Sequence, residues 1–385
     1  IFENNKTVDV LLGPAIDTAL DAIISIRTCA KFFIFHGNMP SFDAPGKLIH
    51  QNERSKLGGD DEKKTLSPQN TFYSLLATKC VDNGVGIDLF LFPNGPVEVA
   101  SLSPLCSSTG GTLRLYKYFK SNTQGNSLFH DIQQSVRSTL GLDIMAKLRC
   151  SNGINVKQFF GNHVQVNESE ILMSSIDDHK SFCAELVYED KISKIAYFQF
   201  ALLYTSTYGT RLIRVHNIAL NVTESINDIF KSTDQDTVAH FLFKNACKNL
   251  FNQPLNTVKQ EIIAQLVKIL ASYRQNCASN SSPLQLIMPE YVKLLPLYVN
   301  SMLNSETISG TGDISPDDKS FALHFSHSCT LRDTNSMLYP RLFDILSILD
   351  SPRIPIENYE GYSVEYLLPN GIIQIRDSYE RLDCS

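Results

Sequence analysis

The sequence lacks several features that mark common classes of protein. Its nine cysteines include no Cys-x-x-Cys pair, so it predicts free thiols in a reducing compartment rather than disulfides or a zinc ribbon. No apolar run reaches the ~18 residues of a membrane span, which leaves only a peripheral membrane role. Lysine and arginine total 34 against 40 aspartate and glutamate, and no segment has the basic surplus of nucleic-acid-binding proteins.

The motifs on which common catalytic sites are built are also absent. The chain has no glycine-rich nucleotide-binding motif, no Gly-x-Ser-x-Gly and no His-Glu-x-x-His. We therefore predict no catalytic residues, and an α/β enzyme built on the first third is a minor alternative. His324, His327 and Cys329 are close enough in sequence to suggest a metal, but ordinary structural side chains are the better interpretation.

The first third of the chain alternates helix and strand signals. Helical segments at Gly13–Ile26 and Pro68–Cys80 separate short apolar strands at Lys31–Phe35 and Asp88–Phe92. Continuous apolar strands between helices indicate a parallel sheet covered on both faces. The connection over residues 36–65 is long and carries glycines and charges near its end, so we expect disorder at its tip.

The period of the apolar residues changes twice further along the chain. Residues 145–221 read as strands joined by short turns, which indicates an antiparallel sandwich. Residues 224–345 have helical spacing instead, which indicates a helical domain. Within its segment 288–303, Pro296 is expected to remove a backbone donor and bend the helix. A short strand is predicted at residues 371–377.

One predicted strand, AKLRC, contains two cations. Strand alternation places Lys147 and Arg149 on the same face, where they can hold a carboxylate through charge-assisted hydrogen bonds. The competing interpretation is a solvated sheet face or pairing with an acid such as Asp177. Arg211 and Arg214 are three residues apart, so a regular strand sends them to opposite faces and we interpret them as structural or rim residues.

Several long stretches resemble one known family, in collinear order. They include PQNTFYSLLATKCVDNGVGIDLFLFP from Pro68, ALLYTSTYGTRLIRVHNIALN from Ala201 and LASYRQNCASNSSPLQLIMPEYVKLLPLYVN from Leu270. These stretches resemble the Sec24 family, the cargo-selecting subunit of the inner COPII vesicle coat. The segment RVHNIALN is more similar to the animal C and D paralogues than to the other forms.

The resemblance implies a multidomain α+β fold and a fragment of a longer protein. Residues 1–137 would be the second half of a von Willebrand A-like α/β trunk, and residues 138–222 an antiparallel β-sandwich. Residues 223–345 would be an all-helical domain, and residues 346–385 a linker and the start of a gelsolin-like domain. The family's zinc finger has no counterpart in this sequence, so no cofactor is expected here.

The resemblance also implies a cargo adaptor, not an enzyme. The family captures export signals in the cytosolic tails of transmembrane cargo and SNAREs, for vesicle transport from the endoplasmic reticulum to the Golgi. It works in the cytoplasm, at the COPII coat and the endoplasmic reticulum exit sites, as a heterodimer with the sibling inner-coat subunit. The small GTPase of the coat is an indirect partner, the membrane surface is a peripheral one, and nucleic acid is not a partner.

The family's pocket for acidic signals suggests three site residues. That pocket uses an Arg-x-Arg strand and the first leucine of a Leu-Leu-Tyr strand, which correspond by resemblance to Lys147, Arg149 and Leu202. Lys147 stands where arginine would offer a two-pronged donor, so a carboxylate is expected to be held less rigidly. The alternative function is that of the sibling subunit, which stimulates GTP hydrolysis by the coat's small GTPase.

Overall fold

The structure is a computed structural model of the chain. It describes residues 9–50, 54–279, 282, 285, 287–309 and 314–339, and the backbone of two short paired strands, Leu342–Phe343 and Gln374–Ile375. The expected start of a gelsolin-like domain lies outside the described residues, apart from the second of these strands. No helix in the described part is long and apolar enough to cross a membrane.

A parallel sheet forms the centre of the first third. The elements are α1 (Gly13–Ile26), β1 (Ala30–His36), a 3-10 turn (Arg54–Lys56), α2 (Glu62–Thr65), α3 (Phe72–Asp82), β2 (Val85–Leu91), α4 (Val99–Leu102), α5 (Pro104–Thr109), β3 (Leu113–Leu115) and α6 (Ser121–Arg137). The strand order is β1-β2-β3, and every residue of β2 is buried. The α/β prediction is confirmed.

The sheet is covered on both faces. Leu89 of β2 belongs to a core with Leu76 of α3 and Leu105 of α5. On the opposite face the following domain comes so close that a Cβ at Gly86 would lie 2.6 Å from Ser175 Oγ. A residue other than glycine at position 86 would therefore force Ser175 to shift.

The second region is antiparallel, as predicted. Its strands are β4 (Thr139–Cys150), β5 (Ile154–Phe160), β6 (Val164–Gln165), β7 (Glu170–Asp177), β8 (Cys183–Tyr188), β9 (Ile195–Thr205) and β10 (Arg211–Asn221). A five-stranded sheet has the order β10-β9-β4-β7-β6, and β5 pairs with β8 in a small second sheet. Ile144 and Ala146 of the large sheet share one core with Val156 and Phe159 of the small one, so the two sheets form a sandwich.

The third region is helical. Its elements are α7 (Ile226–Ser232), α8 (Gln235–Leu250), α9 (Leu255–Cys277), a 3-10 turn (Glu290–Val292), α10 (Leu295–Asn304), α11 (Glu306–Ser309), α12 (Pro316–Ser328) and α13 (Leu331–Leu338). Val258 and Ile262 of α9 pack in one core with Phe243 of α8 and Leu295 of α10. The apolar stripe on α9 thus faces the interior, as an amphipathic helix requires.

The expected bend at Pro296 is wrong. Segment 288–303 is not one helix, because a 3-10 turn that follows Pro289 ends before α10 begins. Pro296 lies in the first turn of α10, where its missing N–H has no intrahelical acceptor in any case. The proline therefore starts a helix and does not distort one.

Helix α12 joins the helical region to the trunk. Phe321 packs against the trunk core, whereas Leu323, two residues later, is buried in the helical core. At the start of the helix, the Asp317 carboxylate accepts hydrogen bonds from the backbone N–H groups of Val97 and Val99, at 2.9 and 2.8 Å. One helix thus contributes to two cores.

The connection over residues 36–65 also reaches the helical region. Residues 58–61 form turns and Glu62–Thr65 form α2, so the expectation of disorder there is wrong. Glu62 is buried and forms an ion pair with Lys319 of α12, and Leu66 belongs to the helical core. Burial of these two side chains fixes the connection against a neighbouring domain.

Candidate functional site

The two predicted cations lie side by side on the outer face of the five-stranded sheet. Lys147 is opposite Ala201 of β9, and Arg149 is opposite Gln199. Ala146, the residue before Lys147, belongs to the sandwich core. Strand alternation therefore directs Met145, Lys147 and Arg149 away from the small sheet. The predicted shared face is confirmed.

Leu202 is not on that face. It is paired with Ala146 and packs against the core between the sheets. The neighbouring Leu203 is opposite Met145 and therefore shares the outer face with the two cations. The register thus separates Leu202 from Lys147 and Arg149 and brings in Leu203.

Each of the two cations has a partner on the sheet surface. Lys147 Nζ donates to Glu170 Oε1 at 2.6 Å, and this bond holds the pKa of Glu170 below its usual value. Arg149 donates to Gln199 Oε1 at 2.9 Å, and Gln199 donates in turn to Asn217 at 3.0 Å. The acid that pairs with the lysine is therefore Glu170, not Asp177, which lies 3.4 Å from Lys180.

A shallow groove begins at Arg149. It has a volume of about 470 Å³, and its lining includes Tyr197, Gln199 and Asn217. Tyr197 is 58% exposed, so an aromatic surface and a guanidinium face solvent together. This combination suits a short peptide with an acidic and an apolar side chain.

An apolar row crosses the same face beside Lys147. It runs from Leu172 of β7 through Met145 and Leu203 to Ile213 of β10, each opposite the next in the register. Met145 is 46% and Ile213 68% exposed. Sequence reasoning missed this row, although the alternation of β4 already placed Met145 on the face of Lys147.

The two arginines of β10 lie on opposite faces, as predicted. Arg211 is on the outer face and donates to Asp143 Oδ2 at 2.7 Å and to Thr205 Oγ1 at 2.9 Å. Arg214 is opposite Leu202 and so points to the other face. Arg211 therefore ties β10 to the neighbouring strands at the end of the apolar row.

The histidines and the cysteine considered for a metal have structural surroundings. His324 Nε2 lies 2.6 Å from Ser103 Oγ, and burial lowers the pKa of His324 to about 4. Cys329 Sγ lies 3.1 Å from Thr334 Oγ1, and burial raises the pKa of Cys329 to about 11. Among the described residues, no group of three or more potential ligands could hold a metal ion.

Three parts of the chain match known protein-domain families. Residues 1–136 match the Sec23/Sec24 trunk domain, residues 141–223 the Sec23/Sec24 beta-sandwich domain, and residues 234–336 the Sec23/Sec24 helical domain. These are the three regions that differ in secondary structure. The domain limits given above stay predictions.

Individual proteins of this family are similar to the chain over most of its length. Human protein transport protein Sec24C is 34% identical over 381 residues, which cover 97% of this chain and 35% of that protein. Human Sec24D is 33% identical, with 97% and 37% covered. The crystal structure of the human COPII-coat protein Sec24c superposes with a TM-score of 0.85 at 33% identity, over 89% of this chain and 44% of that one.

The chain thus spans about a third of the length of the curated relatives that it matches. The parallel sheet, the antiparallel sandwich and the helical region occur in the order of the three matched domains. With its trunk, sandwich and helical domains and its similarity to Sec24C and Sec24D, the chain belongs to the Sec24 branch of the Sec23/Sec24 family.

Proposed function

We propose that the chain is the signal-binding part of a COPII cargo adaptor, and that it binds short acidic segments in the cytosolic tails of membrane cargo and SNAREs. Membership of the Sec24 branch supports this role. The observation that carries the site is the exposed pair Lys147 and Arg149 beside an apolar row. The proposed role is binding, with no reaction catalysed.

The site holds an acidic signal by exchanging partners. The ion pair between Lys147 and Glu170 is partly exposed, with 37% and 26% of the two side chains accessible, and such pairs contribute little to stability. A signal carboxylate can therefore replace Glu170 at the lysine at low cost. Arg149 can donate a second charge-assisted hydrogen bond to the signal carboxylate once its hydrogen bond to the neutral Gln199 is broken.

An apolar side chain of the signal would pack on the row beside these cations. Met145, Leu203 and Ile213 form an apolar surface that runs across three strands. Burial of apolar area there would supply binding free energy at ~25 cal/mol per Å² before the cost of association is subtracted. The proposed signal thus combines an acidic residue with an apolar one nearby. Leu202, on the inner face, would support the strand without touching the signal.

The proposed partners follow from the family. The whole protein would form a heterodimer with the sibling inner-coat subunit, contact the coat GTPase indirectly and lie on the cytosolic membrane surface at endoplasmic reticulum exit sites. Individually weak signals would be strengthened by multivalency within the coat. A zinc finger of the whole protein would use residues other than those described here, and nucleic acid is not a proposed partner.

The alternative role, stimulation of the coat GTPase by the sibling subunit, is less well supported. The relatives compared above are both named Sec24, whereas the domain matches fit either subunit. Fold alone does not separate the two roles. A GTPase assay with the small GTPase of the coat discriminates them, because only the sibling role predicts faster hydrolysis on addition of the full-length protein.

The site is tested by fluorescence anisotropy with an acidic cargo-tail peptide. Lys147→Ala combined with Arg149→Ala should raise the Kd about tenfold or more, since two charge-assisted bonds are lost. Lys157→Ala is the matched control, because Lys157 forms a similar exposed pair with Glu185 on the other sheet, at 2.7 Å. Equal affinity of all three proteins, with unchanged melting temperatures, would refute the site.

A further inference from the structure

Glu170 occupies half of the proposed signal site, which is formed by Lys147 and Arg149 and is here called the outer-face site. Lys147 Nζ donates to Glu170 Oε1 at 2.6 Å, whereas Arg149 donates to the uncharged amide of Gln199 at 2.9 Å. Two cations and one carboxylate leave a single net positive charge among these groups. The chain itself thus neutralises one of the two cations.

Glu170 is held beside the lysine by a second donor. Asn167 Nδ2 donates to Glu170 Oε2 at 2.7 Å. The side-chain oxygen of Asn167 accepts in turn from the backbone N–H and the hydroxyl of Ser169, at 3.0 and 3.2 Å. This local turn orients the amide so that its NH2 group faces Glu170. Each carboxylate oxygen of Glu170 therefore has its own donor, and the side chain is preorganised next to Lys147.

The same contacts keep Glu170 ionised. The hydrogen bonds from Lys147 and Asn167 lower the pKa of Glu170, and the charge of Arg149 acts in the same direction. At neutral pH Glu170 is therefore an anion within electrostatic reach of both cations. It competes directly with any carboxylate that approaches Lys147.

This charge balance determines what a signal gains from each of its acidic residues. The first carboxylate neutralises the remaining positive charge and receives a charge-assisted hydrogen bond from Arg149. A second carboxylate finds no free cation, because at Lys147 it only replaces the bond that Glu170 gives up. The displaced Glu170 also stays close to both signal carboxylates, and like charges repel one another. The second acid should therefore add almost nothing to the affinity.

We propose that Glu170 is a specificity-determining residue that limits the outer-face site to one acidic residue of a signal. This inference rests on the proposed binding of acidic signals and adds to it the number of charges that the site accepts. The charge of Glu170, and not its shape, excludes the second acid. Glu170→Gln, which keeps the shape and removes the charge, should make Lys147 available to a second carboxylate.

The test is fluorescence anisotropy with the full-length protein and three labelled peptides. The peptides share one sequence and carry no glutamate, one glutamate or two, with glutamine in place of each missing acid. In the native protein the first glutamate should lower the Kd about tenfold, and the second should change it less than about twofold. In Glu170→Gln the second glutamate should also lower the Kd about tenfold.

Glu185→Gln is a closely matched control. Glu185 accepts from Lys157 and from the amide of Gln158, both at 2.7 Å, and its side chain is 26% exposed, as is that of Glu170. The control removes the same charge from the other sheet of the sandwich. It should bind the three peptides as the native protein does, which separates a local effect from a change in net charge.

Two outcomes would overturn the role of Glu170. One is a native protein that already binds the two-acid peptide about tenfold more tightly than the one-acid peptide. The other is an unchanged ratio of these two Kd values in Glu170→Gln. Lys147→Ala combined with Arg149→Ala tests the site itself, since this variant should bind the peptides with no acid and with one acid equally. If it still distinguished them as the native protein does, the acidic-signal site would be wrong, whatever Glu170 does.

Discussion

Glu62, in the connection that follows β1, forms a buried ion pair with Lys319 in α12, although the two residues belong to different domains. Glu62 is 2% and Lys319 0% exposed. Burial lowers the pKa of Lys319, and Glu62 opposes this effect. The carboxylate is thus what permits a charged lysine at this position.

Glu62→Ala should destabilise the protein by about 3–5 kcal/mol, because it leaves a buried ammonium without its counter-ion. Urea unfolding measures the change in the free energy of unfolding. Asp61→Ala is the matched control, since Asp61 forms an exposed pair with Lys64 at 2.7 Å, and its removal should change the free energy of unfolding much less. Equal losses for the two variants would contradict the importance of the buried pair.

Leu202 and Leu203 should respond differently to truncation. Leu202→Ala should lower the free energy of unfolding by about 2 kcal/mol through loss of core packing. Leu203→Ala should instead weaken binding of the acidic peptide and have the smaller effect on stability. Urea unfolding and fluorescence anisotropy, measured on both variants, test this separation. If Leu202→Ala weakened peptide binding and Leu203→Ala caused the larger loss of stability, Leu202 would be the binding residue, as the family resemblance implies.

The buried histidine His324 predicts a loss of stability in acid. Its pKa is about 4 in the folded protein, against a usual 6.5. The unfolded chain therefore binds the proton more readily, and the stabilisation present above pH 6.5 is lost as the pH falls toward 4. Between pH 7.5 and pH 5 this single group should cost about 2 kcal/mol.

The measurement for His324 is urea unfolding at both pH values, compared with His324→Gln. The variant should lose less stability on acidification than the native chain. His163 and His240 also have pKa values lowered to about 4 by burial, so they should retain part of the acid sensitivity in the variant. An identical pH dependence in both proteins would show that His324 titrates normally.

Pro296→Ala should change stability by less than about 1 kcal/mol, because alanine is compatible with the first turn of α10. The variant loses only the restriction that the proline ring places on the conformations of the unfolded chain. Asn300→Pro, in the middle of the same helix, should cost about 3 kcal/mol. Thermal unfolding of the two variants measures both changes in stability. A large effect of Pro296→Ala would restore the idea that this proline shapes the helix.

The strand pattern was sufficient to place the two cations, but not the leucine. Lys147 and Arg149 are two residues apart in one strand, so alternation alone puts them on one face. The face of Leu202 depends on how β9 pairs with β4, and that register shifts at an irregularity between Leu142 and Met145. A single sequence does not specify such a shift.

The pairing of Glu62 with Lys319 was beyond prediction for a different reason. The residues around Glu62 are polar and glycine-rich, which is typical of a mobile loop, and the partner is distant in the sequence. Only the packing of two domains brings them together. The Pro296 error had a local cause, since the end of the 3-10 turn before α10 is not visible in the apolar spacing.

The two cores that meet at α12 have a mechanical consequence. Because Phe321 packs in the trunk and Leu323 in the helical domain, a pull on the helical domain reaches the parallel sheet through packed side chains, not only along the chain. The hydrogen bonds from Val97 and Val99 to Asp317 resist sliding of the helix along that contact. A force on either domain would therefore be transmitted to the other with little internal slack.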